Sequence, residues 1–264
     1  MKNTLILLTL IILASCSTGS SSSESSDSTA VVSEFIEYNN PPAEGFNQEG
    51  SDLLATLLAD KSMQAMGGRQ AWDNTRFISW NFFGRRDHVW DKWTGDVRIE
   101  EPSSDLTILM NINTKEGKVM KGDTEVTDSL DFYLQRGYEL WVNDSYWLVM
   151  PFKLKDSGVT LKYLREDTTL TGDRADVISL AFEDVGVTPQ NVYEVWVDTD
   201  SKLVTQWAYY PDSTALEPRF ITPWDDYKKY GDIMLSGDRG KYALTDIKVL
   251  EEVPEGTFDE FSIN

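Results

Sequence analysis

The chain has one cysteine, Cys16, and one histidine, His88, in 264 residues. A single cysteine rules out an internal disulfide. A single histidine rules out a two-histidine zinc site, a histidine triad with a spare and a Glu-x-x-His pair. Basic residues are also few: 24 Lys and Arg stand against 44 Asp and Glu, for a net charge of −20. Such a surface repels phosphate backbones, so nucleic acid is not an expected partner, and anionic headgroups are disfavoured as well. There is no Gly-x-Ser-x-Gly elbow and no phosphate-binding glycine loop. The apolar run over 5–13, broken by Thr9, is too short for a permanent membrane span. No internal repeat is present. The sequence offers no metal or cofactor motif and no nucleophile with a base, so neither a cofactor nor an enzymatic activity is expected.

What is present begins at the N-terminus. Lys2 gives a basic start, the short apolar core follows, and Ala14 and Ser15 precede Cys16. This order predicts a secretory signal over 1–15. Leu13-Ala14-Ser15-Cys16 resembles the bacterial lipobox. The resemblance implies cleavage before Cys16 and acylation of that residue, palmitate included, as the lipid attachment site. Stable anchoring needs more than one acyl chain, and the lipobox pathway implies a multiply acylated cysteine. That use also removes Cys16 as a thiol nucleophile. Ser17 is not the aspartate that often marks inner-membrane retention, so the expected place is the outer membrane, with its face left open. Residues 17–28 are mostly serine with Glu24 and Asp27, and have little to bury. With Pro41-Pro42 they extend a linker reading over 16–50. This leaves 51–264 as one folded domain.

Within 51–264 the hydrophobic period changes several times. Leu53, Leu54, Leu57 and Leu58 predict a helix over 51–66, stopped by Gly67-Gly68. A short turn over 69–74 is expected to bring Trp72 back onto it. From 76 the period becomes two, with Ile78, Trp80 and Phe82 on one face. Short strands are predicted at 76–83, 85–92, 96–101, 105–113 and 118–121. A helical insertion over 128–142 carries Leu130, Tyr133, Leu134, Tyr138 and Trp141, and Asn143-Asp144-Ser145 reads as its end and the cap of a second short helix. Strands resume at 159–166, 176–183, 191–198, 202–210, 218–222 and 242–251. Asp198-Thr199-Asp200-Ser201 reads as a hairpin turn in preference to a calcium contact. The class is mainly β with helical insertions (α+β): an antiparallel sheet of about eleven strands covered by helices.

This order resembles the family of periplasmic lipoprotein carriers and receptors typified by LolA and LolB. The likeness is carried by Met66-Gly67-Gly68 with Ala71-Trp72, by the hairpin from Tyr193 through Asp198 to Val204, and by Trp224-Asp225-Asp226-Tyr227 leading to Gly231-Asp232-Ile233-Met234-Leu235. The Tyr146-Trp147-Leu148-Val149-Met150-Pro151 segment is similar to one in a lipoprotein group of that shape. The resemblance implies an incomplete barrel, a half-barrel closed on its open side by helices around an apolar cavity. Its motifs are structural, and a lipidated Cys16 departs from the soluble carrier.

The positive chemical signal is aromatic: 9 Trp, 11 Tyr and 11 Phe. Rings filling the core is one reading. The other is that some line a cavity for an acyl chain or other apolar ligand, with Trp80, Phe82, Trp141, Trp147, Trp196 and Trp207 as candidate ligand-binding residues. His88 reads as an ordinary strand residue. The functional expectation is a lipid-anchored, non-enzymatic envelope protein that binds a hydrophobic or acyl ligand and meets the membrane through Cys16. A sensor or scaffold binding an unspecified protein partner is the second reading, and a glycan-binding or hydrolytic protein the third.

Overall fold

Alternation from residue 77 onward sets the architecture. The computed structural model describes residues 38–182 and 190–262. Two helices open it, α1 (Leu53–Ala65) and α2 (Arg69–Asn74). A meander follows: β1 (Phe77–Phe82), β2 (Arg86–Asp91), β3 (Asp96–Glu101), β4 (Leu106–Asn111), β5 (Gly117–Lys121) and β6 (Thr124–Glu125). Helix α3 (Leu130–Val149) then crosses to a second meander, β7 (Val159–Thr168), β8 (Arg174–Phe182), β9 (Val192–Asp198), β10 (Val204–Tyr210) and β11 (Phe220–Pro223). The chain returns through β12 (Asp225–Tyr230), β13 (Ile233–Arg239) and β14 (Tyr242–Leu250).

Every pairing among the described residues is antiparallel. The strands form one sheet of nine, ordered β12-β13-β14-β1-β2-β3-β4-β5-β6, and one of five, ordered β11-β10-β9-β8-β7. β14 pairs with β1, so the last strand closes onto the first meander. Neither sheet closes on itself, and the fold is open. The expected class, antiparallel, mainly β and covered by helices, is the one observed. The strand count rises from about eleven to fourteen, in two sheets. The added strands are β6, β12 and β13. β12 reads Asp-Asp-Tyr-Lys-Lys-Tyr with no buried side chain, and the buried face of β13 carries Gly237 and Arg239 after Ile233 and Leu235, so neither shows an apolar alternation.

Each sheet has its own helical cover. α3 lies on the nine-stranded sheet, where Leu134 and Leu148 join Ile78, Trp80, Trp90, Ile99, Ile108 and Val119 in one core. α1 joins the five-stranded sheet, with Ala55, Leu58 and Ala59 beside Leu161, Ile178, Val195 and Trp207. The buried face of α1 is therefore made largely of small residues, and Leu53 and Leu54 are exposed. Small side chains let the helix axis approach the sheet, which turns the leucine stripe partly outward. α3 also departs from expectation. It runs unbroken past Asn143-Asp144-Ser145, because the Asp144 carboxylate caps no helix and is bonded to side chains of β2.

The outer face of β3 is covered too. Arg98 is buried there and donates to the carbonyl oxygens of Glu260 at 2.8 Å and Phe261 at 2.7 Å. The region read as linker lies outside the described residues up to 37. From Tyr38 on it packs against the domain: Ala43 N donates to Lys155 O, Asn47 N donates to Val159 O, and Phe46 is buried.

α3 meets β4 closely at Gly137. A Cβ there would lie 2.9 Å from Met110 Sδ and 3.0 Å from Ile108 Cγ2. Gly137→Ala should therefore destabilise the protein by about 1–2 kcal/mol net, the overpacking outweighing alanine's better helix propensity. Urea denaturation of the two proteins measures it, and a stabilised variant would refute the close approach.

Candidate functional site

α3 presents different residues to the two sheets. Towards β2 it offers Asp144, whose side chain is fully buried. Arg86 of β2 donates to it through Nε at 2.6 Å and Nη2 at 3.0 Å. His88, two residues along the same strand and on the same face, places Nε2 at 2.8 Å from Asp144 Oδ2. The imidazole stacks on Trp80 at 4.6 Å and 6°. Arg86 also lies 3.6 Å from Glu101, which accepts from Arg136 of α3 at 2.8 Å. Burial pushes the Asp144 carboxyl up, but the hydrogen bonds from His88 and Arg86 outweigh it and hold it below the usual carboxylate value. Burial likewise works against the Arg86 cation, and Asp144 outweighs that. The network clamps α3 to the nine-stranded sheet.

Towards the five-stranded sheet α3 turns Tyr146 and Trp147, and Trp141, packed edge-on against Trp90 of β2 at 5.4 Å, reaches the same space. These line a cavity of about 530 Å³ together with Phe182 of β8, Tyr193 of β9, Trp207 and Tyr209 of β10, and Phe220 of β11. The walls are ordered by ring contacts. Tyr193 stacks on Trp207 at 4.9 Å and 5°, Trp147 meets Trp207 edge-on at 4.8 Å, and Trp147 stacks on Phe220 at 5.7 Å. Such offset and edge-on pairs add to the burial of the rings themselves. Polar groups lie among them. Tyr209 Oη donates to Asn191 Oδ1 at 3.2 Å, and Lys153 pairs with Asp156. Glu139 accepts from Gln135 Nε2 at 2.8 Å. Burial pushes the Tyr193 hydroxyl up to about 12 and the Tyr146 hydroxyl up as well, so both stay protonated donors.

Arg239 braces the site from outside. Its Nη2 donates to Trp147 O at 2.7 Å, satisfying one of the carbonyls at the end of α3. Its guanidinium lies 3.5 Å over the Trp224 ring, and burial lowers its pKa to about 9.

No protein-family model matches the chain, and no curated protein matches it. Two solved structures are similar to it in layout. One is a LolA superfamily protein from Nitrosomonas europaea, at 14% identity and a TM-score of 0.39, covering 78% of this chain and 97% of that one. The other is a DUF1329 family protein from Desulfovibrio piger ATCC 29098, at 10% identity and a TM-score of 0.39, covering 80% of this chain and 99% of that one. Neither is near enough to carry a residue role across.

Of the residues picked out in the sequence, the structure brings Trp141, Trp147 and Trp207 together on the cavity. Trp80 and Phe82 lie instead in the core of the nine-stranded sheet, Trp80 against His88 and Phe82 beneath Arg86. Trp196 is on the opposite face of the five-stranded sheet, under Arg165. Pairing fixes this: Trp207 is opposite Val195, while Trp196 is opposite Gln206. Sequence alone hides the distinction because Val195, Trp196 and Val197 are all buried. His88 is a strand residue as expected, with a partner in α3 that sequence reasoning did not supply. One signal was available, since Asp144 falls three residues after Trp141 and four before Leu148, on the buried face of α3. Cys16 lies outside the described residues.

Among the described residues no group of three or more His, Cys, Asp or Glu side chains is arranged to hold a metal ion. Among them, too, no helix is long and apolar enough to cross a membrane.

Proposed function

We propose that the chain is a lipid-anchored, non-enzymatic protein of the cell envelope that holds a hydrophobic or acyl ligand between α3 and its five-stranded sheet. The aromatic cavity of about 530 Å³ carries the reading. That volume falls within the roughly 300–1,000 Å³ usual for small-molecule sites, and such sites are commonly apolar with few polar groups. Binding there is driven by removal of apolar surface from water, at about 25 cal/mol per Å². The walls are held from behind, by Asp144 on one side of α3 and by Arg239 at its end, so the cavity is preformed. The anchor and the outer-membrane location rest on the sequence before the domain, on Cys16 behind its short apolar run. The cavity lies in the domain and the acyl site far back in the chain, so anchoring and binding are separate tasks.

Mass spectrometry of the full chain tests both parts. Under denaturing conditions the mass should be that of the chain from Cys16 onward plus acyl groups. Under native conditions a further noncovalent lipid adduct should appear, or form on addition of an apolar probe with a change in tryptophan emission. A chain that takes up no apolar probe and shows no emission change would defeat the binding reading.

A further inference from the structure

The cavity has a direction and a width. Its sheet wall is a row of side chains across one end of the five-stranded sheet: Val159 of β7, Phe182 of β8, Tyr193 of β9, Tyr209 of β10 and Phe220 of β11. Register sets them side by side. Val159 is opposite Phe182, Tyr193 is opposite Tyr209, and Tyr209 is opposite Phe220, while Phe182 meets Tyr193 edge-on at 6.0 Å. The row crosses five strands, a length of about 19 Å at the usual strand spacing. Along the strands it is narrow. Trp207 adds one more position on β10, about 7 Å from Tyr209. Beyond it the same face is filled, where Leu161, Leu180 and Val195 are fully buried with Ala55, Leu58 and Ala59 of α1. Tyr146 and Trp147 of α3 face the row. Both rings are half-buried, as are Phe182, Tyr193, Tyr209 and Phe220, so each offers accessible surface to a ligand.

The two ends of this trough differ. At β11, an edge of the sheet, Phe220 stacks on Trp147 and closes the gap to α3. At the other end the rim is polar, lined by Lys153, Asp156 and Ser157 in the connection that leads into β7. Lys153 and Asp156 neutralise each other there. Resting on the reading of this cavity as an apolar binding site, we propose that it takes one alkyl or acyl chain, laid across the strands with its tail at Phe220 and its polar end at the β7 rim. The ligand class is a single-chain amphiphile. The volume of about 530 Å³ sets the length. A methylene takes up about as much room as a water molecule, about 30 Å³, so the trough holds roughly 18 heavy atoms, which is one chain of about 14–18 carbons. A second chain has no floor, because α1 fills the rest of the face. A multiply acylated cysteine, of the kind the lipobox resemblance implies for Cys16, would bury one of its chains here and leave the others in water.

Lysophosphatidylcholines with one chain of about 10 to 20 carbons, titrated by tryptophan emission below their micelle concentrations, test this on the full chain. Affinity should rise about fourfold per added methylene, then level off near about 16 carbons once the trough is full. Diheptanoylphosphatidylcholine has the headgroup and the chain carbons of the 14-carbon probe, divided between two chains. It should bind at least about tenfold more weakly than that probe, since its second chain stays in water. Phe220→Ala opens the tail end and should move the break to chains about three carbons longer. An affinity that climbs unbroken to the longest chain, or two short chains held as tightly as one long one, overturns the proposal in the wild type alone, whether or not the variant folds. A break that stays in place in a folded Phe220→Ala puts the tail elsewhere and overturns it too. If no chain of any length binds, the cavity reading itself falls, a result distinct from binding without a length limit.

Discussion

Replacing Asp144 by alanine is expected to destabilise the protein by about 3–5 kcal/mol. The carboxylate is fully buried between Arg86 and His88. Removing it leaves a buried guanidinium with only the more distant Glu101 as counter-ion, at 3.6 Å. It also leaves His88 without its bond, since Nδ1 has no partner among the described residues. Asp144→Asn keeps the shape and one acceptor and should lose less. Urea denaturation of full-length protein measures both, and a loss below about 1 kcal/mol for alanine would show that the network is dispensable. The same carboxylate gives the fold an acid limit. Its pKa is lowered in the folded state, so its contribution is complete above the unfolded value of 3.8 and is lost as the pH falls through the lower folded value. Glu101 is lowered too, where Ser104 and Arg136 outweigh its burial. Wild-type stability should therefore drop as the pH goes below about 4, and the drop should be shallower in Asp144→Asn.

Trp207→Ala should cost about 3–5 kcal/mol and abolish probe binding. The Trp207 ring is 1% exposed and meets Tyr193, Trp147, Trp224, Tyr146 and Phe220. Those neighbours belong to β9, β11, the β11–β12 junction and α3, so the space left cannot be filled by moving one side chain. Trp207→Phe separates the two effects. It retains most of the buried area and should lose about 1–2 kcal/mol, while probe affinity falls several-fold as the stack with Tyr193 is reduced. Trp196→Phe is the matched control. Trp196 is equally a β-sheet tryptophan, 4% exposed, but faces away from the cavity. It should change stability and leave probe affinity alone. Equal affinity losses at 196 and 207 would mean that the cavity is not where the probe binds.

Much of the fold was legible where one face of a strand is buried. β1 shows it: Ile78, Trp80 and Phe82 are buried, with Ser79 and Asn81 less so. β9 was legible as a strand, but not the face it turns to the cavity, because Val195, Trp196 and Val197 are all buried; β12 and β13 were missed. β12 has no buried side chain, and the buried face of β13 reads Ile233, Leu235, Gly237, Arg239, so neither offers an apolar period to read. α1 shows a second kind of failure. Its leucines mark a helix correctly but misplace its buried face, which is set by how close the sheet approaches.

By itself the sequence determined the chemistry available: one histidine, one cysteine placed behind a signal-like run, a strongly acidic balance and an excess of aromatic rings. It also determined the alternation of helix and strand, because these are local periodicities. Tertiary structure alone decided which rings share a cavity. Trp207 reaches it and Trp196 does not, because antiparallel register sends neighbouring positions to opposite faces of the sheet. It alone joined His88 and Arg86 to Asp144, more than fifty residues away. Strand register and helix docking are non-local, and they fixed both the clamp that holds α3 and the set of rings that α3 brings to the cavity.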